Sequence, residues 1–209
     1  MKSRYRISYS KNELMRYTSN LDVQKSWERT FRRARLPIAY SQGFHPQPKI
    51  QLACPLPLGF LSENEVLDFI TEEKLDISNL ETQLVEKIPP GIQINEIYEV
   101  ELNQPSLQVQ TRAAQYRMEF LNRLDFSKLS EDINLLLRKD TIIRTRRSKT
   151  YDLRPLIIDL VAYEEESLPK IRITLSALEN ATGRPEEILN ELLIPFQSVR
   201  ITREKTLLK

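Results

Sequence analysis

"IQINEIYEVELN" (Ile92–Asn103), "QPSLQVQTRA" (104–113) and "AQYRMEFLN" (Ala114–Asn122) follow one another, and reading them as strand, linker and strand decides the fold. In the outer pieces apolar and polar residues alternate, the period of a half-buried strand. Between them Pro105 opens a polar stretch with no period of its own. A strand thus closes one run of elements, and another strand opens the next.

The first run is legible towards the N-terminus. "SRYRISYSK" (Ser3–Lys11) alternates, with Tyr5, Ile7 and Tyr9 on one face and Arg4 and Arg6 on the other, which predicts a strand with a solvated side. "TSNLDVQKSWERTFRRARLP" changes period: Val23, Trp27, Thr30, Phe31 and Ala34 form a helical stripe, and Lys25, Arg29, Arg32 and Arg33 face the other way. Ser19 or Asn20 can cap this helix, and Pro37 ends it. Two extended pieces, "IAYSQGF" and "KIQLACPLPLG", surround a glycine–proline loop; then come a strand (Asn64–Thr71), a helix in "DISNLETQLVEKIPPG" and the strand at Ile92.

The same order returns beyond the linker: strand, a helix in "FSKLSEDINLLLRKD", a strand region in "TIIRTRRSKTYDLRPLIIDLVAYEE" bent or split at "DLRP", a strand in "LPKIRITLSAL", a helix in "TGRPEEILNELL" and a last strand in "FQSVRITREKTLL". The expectation is an α+β protein of two tandem ferredoxin-like (βαββαβ) domains with antiparallel sheets, residues 1–103 and 111–209.

Composition narrows the function. The chain has 209 residues, 40% hydrophobic and 29% charged, which suits a soluble globular protein. No apolar run is long enough to span a bilayer and "MKSRYRISYS" lacks an apolar signal core, so a cytoplasmic protein without membrane contact is expected. One cysteine and one histidine cannot make a classical zinc site, and one cysteine cannot hold an iron–sulfur cluster, so no metal or cofactor is expected. No phosphate-binding glycine motif is present. Net charge is only +2, yet "ERTFRRAR" holds Arg29, Arg32, Arg33 and Arg35, and "TIIRTRRSKTYDLR" holds Arg144, Arg146, Arg147, Lys149 and Arg154 against Asp152 alone. So many cations on one strand or hairpin call for an anionic partner, nucleic acid or an acidic protein surface. Tyr116 and Tyr151 are candidates for stacking on unpaired bases.

"AYSQGFHPQPKIQLACPLPLG" (Ala39–Gly59) gathers two of the four glycines, four of the twelve prolines, and the only histidine and cysteine. His45 as a general base lacks a companion to complete a catalytic set. A shaped turn explains the composition as well: Gly43 permits unusual backbone angles, Pro46 and Pro48 stiffen the exit, and Phe44 packs underneath as an anchor. Ser41, Gln42, His45, Gln47 and Lys49 would then present a polar surface for a phosphate or a base edge. Cys54 reads as a buried structural cysteine.

These residues resemble the radical SAM-linked protein family, a bacterial domain found alone or joined to the C-terminus of radical SAM proteins. The resemblance rests on Leu21-Asp22, on Trp27 to Arg33, on Ser41, Gly43, Phe44, His45, Pro46, Pro48, Lys49 and Ile50, on Asp152-Leu153-Arg154-Pro155, and on Arg184-Pro185. It implies an accessory protein whose radical SAM partner carries any radical chemistry. The function expected is RNA binding for presentation to that partner. Arg29, Arg32, Arg33, Arg144, Arg146, Arg147 and Arg154 would meet phosphates, and Ser41, Gly43, His45 and Lys49 would line the site. A fold-level similarity to CRISPR repeat processors leaves a metal-independent endoribonuclease using His45 as an alternative. A protein-interaction subunit that docks an acidic surface is the other.

Overall fold

The computed structural model describes residues 1–146 and 148–209, and its chain divides into two compact units, Met1–Thr111 and Arg112–Lys209. The architecture is mixed α+β, with mostly antiparallel sheet and few helices.

Unit 1 begins with β1 (Ser3–Lys11) and α1 (Asn20–Arg33), continues through β2 (Ile50–Leu52) and β3 (Leu61–Thr71), and then forms α2 (Ile77–Val85) and β4 (Ile92–Val100). Its strands lie in the order β4-β1-β3-β2. Ile7 of β1 faces Leu67 of β3 on one side and Ile97 of β4 on the other, and Ile50 of β2 faces Phe69. The Ser19 side chain caps α1, accepting from the Asp22 N–H. The helical stripe buries Val23, Trp27, Thr30 and Phe31 against the sheet. There a run of rings forms: Tyr5 stacks on Phe69 at 5.4 Å, Phe31 lies 4.6 Å from Phe69, and Trp27 meets Tyr9 edge-on at 5.0 Å. Ring pairs of this geometry add about 0.5–1.5 kcal/mol each beyond the area they bury. Leu80 and Leu84 of α2 complete the core.

The other face of β1 departs from expectation. Arg4 and Arg6 are buried, 4% and 6% exposed, where alternation alone suggests a solvated side. Both reach Asp68 on β3: Arg4 Nη2 lies 2.6 Å from its Oδ2, and Arg6 Nε lies 2.7 Å from its Oδ1. The expected linker covers this face. It contains a helical turn, α3 (Leu107–Gln110), capped by Ser106, with Leu107 buried. The Gln104 and Pro105 carbonyls accept from Arg4, and Gln110 Oε1 accepts from Arg6. The segment is therefore a fitted part of unit 1 and not a loose tether.

Unit 2 is built from β5 (Thr111–Phe120), α4 (Phe126–Leu137), a separate hairpin of β6 (Ile143–Arg146) and β7 (Lys149–Asp152), β8 (Ile157–Glu165), β9 (Leu168–Leu178), a two-residue β10 (Ala181–Thr182), α5 (Pro185–Glu191) and β11 (Val199–Leu208). The main strands lie in the order β11-β5-β9-β8, with β10 also on β9. Tyr116 of β5 pairs with Ile173 of β9, and Leu160 of β8 pairs with Ile173 from the other side. Pro185 stands at the first turn of α5, where a missing N–H costs nothing. The strand region after α4, expected to be bent or split at "DLRP", is split there: the hairpin ends at Asp152, a short 3-10 turn spans Arg154–Leu156, and β8 follows.

Candidate anion-binding cleft and the basic hairpin

In unit 1 the polar face of α1 and the segment that follows it enclose an open cleft of about 510 Å³. Lys25, Arg29 and Arg32 form its basic wall, Tyr40 and Pro48 its opposite side, and Phe31 and Ile50 reach its base. The three cations stand at positions i, i+4 and i+7 of one helix and so share a face. All three are exposed, and among the described residues none is joined to an acid by an ion pair. Glu28 also lines the cleft, and the Gln24 amide donates to it at 3.5 Å. Arg33, expected with the others, instead turns over the helix end and donates to the Lys87 carbonyl.

The glycine–proline loop lies beside this cleft on a fixed base. Ser41 N–H donates to the Gln47 carbonyl at 2.8 Å, and Gln47 N–H donates to Ser41 Oγ at 2.9 Å. A bridge joins Tyr40 to Pro48, and Lys49 N–H donates to the Ala39 carbonyl at 2.8 Å. Gly43 has φ +126°, a conformation that side chains other than glycine's rarely adopt. Of the two extended pieces that flank the loop, the first makes isolated bridges at Ile38 and Tyr40, and the second forms β2, which stops at Leu52. The prolines at 46, 48, 55 and 57 supply no N–H for a longer ladder.

Ser41 closes this loop with its hydroxyl, while His45 and Lys49 are exposed. Among the described residues His45 makes no side-chain hydrogen bond, so no group is positioned to exchange a proton with it. Phe44 is not the expected anchor. Its side chain is fully exposed at 102%, because the tip of the loop projects away from the core. Cys54 is buried.

In the basic hairpin of unit 2, Arg144 has one acid: its Nη2 lies 2.7 Å from Glu191 Oε1, and it also donates to the Glu187 backbone carbonyl at 3.0 Å. Lys139 pairs with the same Glu191 at 2.7 Å. Arg154 donates through Nε and Nη2 to the Leu137 carbonyl at 3.2 and 3.0 Å, closing the C-terminus of α4. Those two arginines make their contacts within unit 2, at α5 and at the end of α4. Arg146 and Lys149 are exposed and line a second open cleft of about 600 Å³ with Tyr151, Thr182 and Arg184. Arg147 lies outside the described residues. Tyr116 is buried. The Tyr151 hydroxyl donates to Glu187; burial first and that carboxylate second hold its pKa far above the ordinary value. Glu186 is also pushed up, by burial and by its neighbour Glu187, against the backbone hydrogen bond that favours its charge.

Among the described residues no cluster of three His, Cys, Asp or Glu side chains has the spacing of a metal site. No helix among them is long and apolar enough to cross a membrane.

Residues 4–185 match the model of a family described as "Uncharacterized protein conserved in bacteria (DUF2344)", and the chain belongs to that family. No curated protein matches it. Among solved structures it is similar to a chain of the "Crystal Structure of a Cbf5-Nop10-Gar1 Complex", with TM-score 0.51 and 10% identity. That likeness covers 97% of this chain and 48% of the other, so this chain spans about half of its structural neighbour. At such identity the likeness concerns the fold alone.

Proposed function

We propose that this member of a bacterial family is an RNA-binding accessory protein that holds RNA for a radical SAM partner, with the cleft on α1 as its phosphate-contact site. One observation carries the reading: Lys25, Arg29 and Arg32 share an exposed helical face, line a cleft and have no acidic partner among the described residues. Surface cations held together without counter-charges gain most from a polyanion, whose phosphates release bound counterions when neutralised. The loop whose Tyr40 and Pro48 line the cleft also exposes Lys49 and the His45 imidazole. The partner is inferred from the resemblance of the α1 and loop residues to the radical SAM-linked family. Each unit is read as a ferredoxin-like fold, supported by the strand orders β4-β1-β3-β2 and β11-β5-β9-β8.

The test is fluorescence anisotropy of a labelled single-stranded RNA with the full chain. Replacing Lys25, Arg29 and Arg32 together by alanine should weaken binding at least tenfold at low salt and leave the thermal midpoint within a few degrees. Unchanged affinity would remove the cleft from the RNA site. His45→Asn should bind as the wild type does. Cleavage of the RNA by the wild type and not by His45→Asn would favour a nuclease instead. Recovery of a radical SAM protein with the tagged chain from its native cell tests the partnership.

A further inference from the structure

Phe44 is a large apolar side chain left wholly in solvent on a loop whose base is tied by hydrogen bonds. Single exposed apolar residues are common on protein surfaces, but among the described residues Phe44 is the most exposed aromatic ring, above Tyr17 at 77%, which asks whether the loop gives it a role. The loop itself supplies none, since Phe44 fixes nothing in it. Tyr40, on the same segment and 51% exposed, forms a wall of the cleft that Lys25, Arg29 and Arg32 line.

We infer that Phe44 is a base-stacking residue, and that the ligand of this cleft is an unpaired segment of RNA whose phosphates lie on Lys25, Arg29 and Arg32 while a base packs on the Phe44 ring. The inference rests on the RNA-binding reading and narrows it to single strands. Exposed aromatic rings beside a cationic groove are the chemistry that holds single-stranded nucleic acid, because every base has a stackable face and every linkage a charge. A duplex keeps its bases inside, so a projecting ring gains nothing from it. The surroundings of Phe44 disfavour a protein or lipid contact. Along the loop the exposed polar residues Gln42, His45, Gln47 and Lys49 alternate with Phe44 and Pro46, which breaks up the continuous apolar run that a protein interface or membrane anchor uses. Gly43 at φ +126°, Pro46 and Pro48 hold the tip in one shape before the ligand arrives, which limits the ordering lost on binding.

The experiment uses the full chain with an RNA of about twelve nucleotides, within the span such sites occupy, carrying one 2-aminopurine, and the same RNA annealed to its complement. Anisotropy gives affinity, and 2-aminopurine quenching reports stacking. The single strand should bind at least about tenfold tighter than the duplex, with quenching. Phe44→Leu should lose about tenfold in affinity for the single strand together with the quenching, and keep the wild-type thermal midpoint, since no packing is removed. Phe44→Trp should retain both signals. Equal affinities of wild type and Phe44→Leu, or equal binding of strand and duplex, would overturn the stacking role while the cleft remains an RNA site. If neither RNA binds, the RNA reading falls and this inference with it. Phe44-dependent sedimentation with phosphatidylserine vesicles, in the absence of RNA binding, would overturn it in favour of a membrane surface.

Discussion

Asp68 shows how a single residue can hold two others in place. Its carboxylate is 2% exposed and meets two guanidiniums that are equally sequestered, so the cluster carries a net positive charge inside unit 1. Burial opposes the Arg6 charge, but Asp68 and Tyr98 more than offset it, and the Arg6 pKa stands above its ordinary value. Asp68→Asn would leave two buried cations without an anion, and breaking a buried pair in this way costs about 3–5 kcal/mol. Urea denaturation of the variant should show that loss; a change under about 1 kcal/mol would mean that water reaches the cluster. Residue-level surprises share one cause here. Alternation in "SRYRISYSK" separates two faces of a strand but does not say which one the chain will later cover. The acid that neutralises Arg144, Glu191, lies far downstream on α5, beyond the reach of any local pattern. Phe44 is expected inward as an anchor because it is apolar, but hydrophobicity alone does not tell which way a loop tip points, and the ring lies in solvent.

Elements were easier to read than residues, because each carries its own period and punctuation. The α1 stripe, its Ser19 cap and the Pro185 start of α5 all follow from local sequence. The short elements do not: α3 and the β6–β7 hairpin are too brief for a period to establish itself. Two glycines in loops now separate by surroundings. Gly43 and Gly91 both adopt positive φ, +126° and +95°, but a Cβ on Gly43 meets nothing within 4 Å, whereas one on Gly91 would lie 2.6 Å from Met15 Cγ. Gly43→Ala should therefore cost only backbone strain, on the order of 1–3 kcal/mol and relieved in part by the open loop. Gly91→Ala adds a clash between the turn before β4 and the 3-10 turn at Glu13–Met15, and should lower the thermal midpoint further. Equal midpoints would show that Met15 swings aside freely. At the start of α5, Glu186 is held above its ordinary pKa by burial. The folded state therefore binds the proton more tightly than the unfolded chain, and stability falls as pH rises from the unfolded value through the folded one. Glu186→Gln should raise the thermal midpoint at pH 7 and lose that advantage near pH 4, where both states are protonated. A stabilisation equal at both pH values would place its origin elsewhere than in the charge.

Over the whole molecule the net charge of +2 conceals a division of labour among cations. Some are spent within the fold: Arg4 and Arg6 on Asp68, Arg144 on Glu191, Arg154 on the end of α4. Others stand in solvent without an acid, and Lys25, Arg29 and Arg32 do so together. These two groups differ in a measurable way. An arginine paired within the fold neutralises no phosphate and so releases none of the counterions condensed on RNA; its removal alters stability and not the salt dependence of binding. An unpaired one contributes to that dependence, which for single strands falls by roughly 0.7 logarithmic units of affinity per unit of log salt for each phosphate neutralised. Three contacts at the α1 cleft predict a slope of about −2 for single-stranded RNA. Each alanine substitution at Lys25, Arg29 or Arg32 should flatten that slope by about 0.7 units with little change in thermal midpoint. Arg144→Ala should do the reverse, lowering the midpoint because Glu191 keeps only Lys139 and the Glu187 carbonyl loses its donor, with the slope unchanged. If Arg144→Ala flattened the slope as Arg29→Ala does, the hairpin arginine would be leaving its acid for phosphate, and the RNA path would have to extend over unit 2.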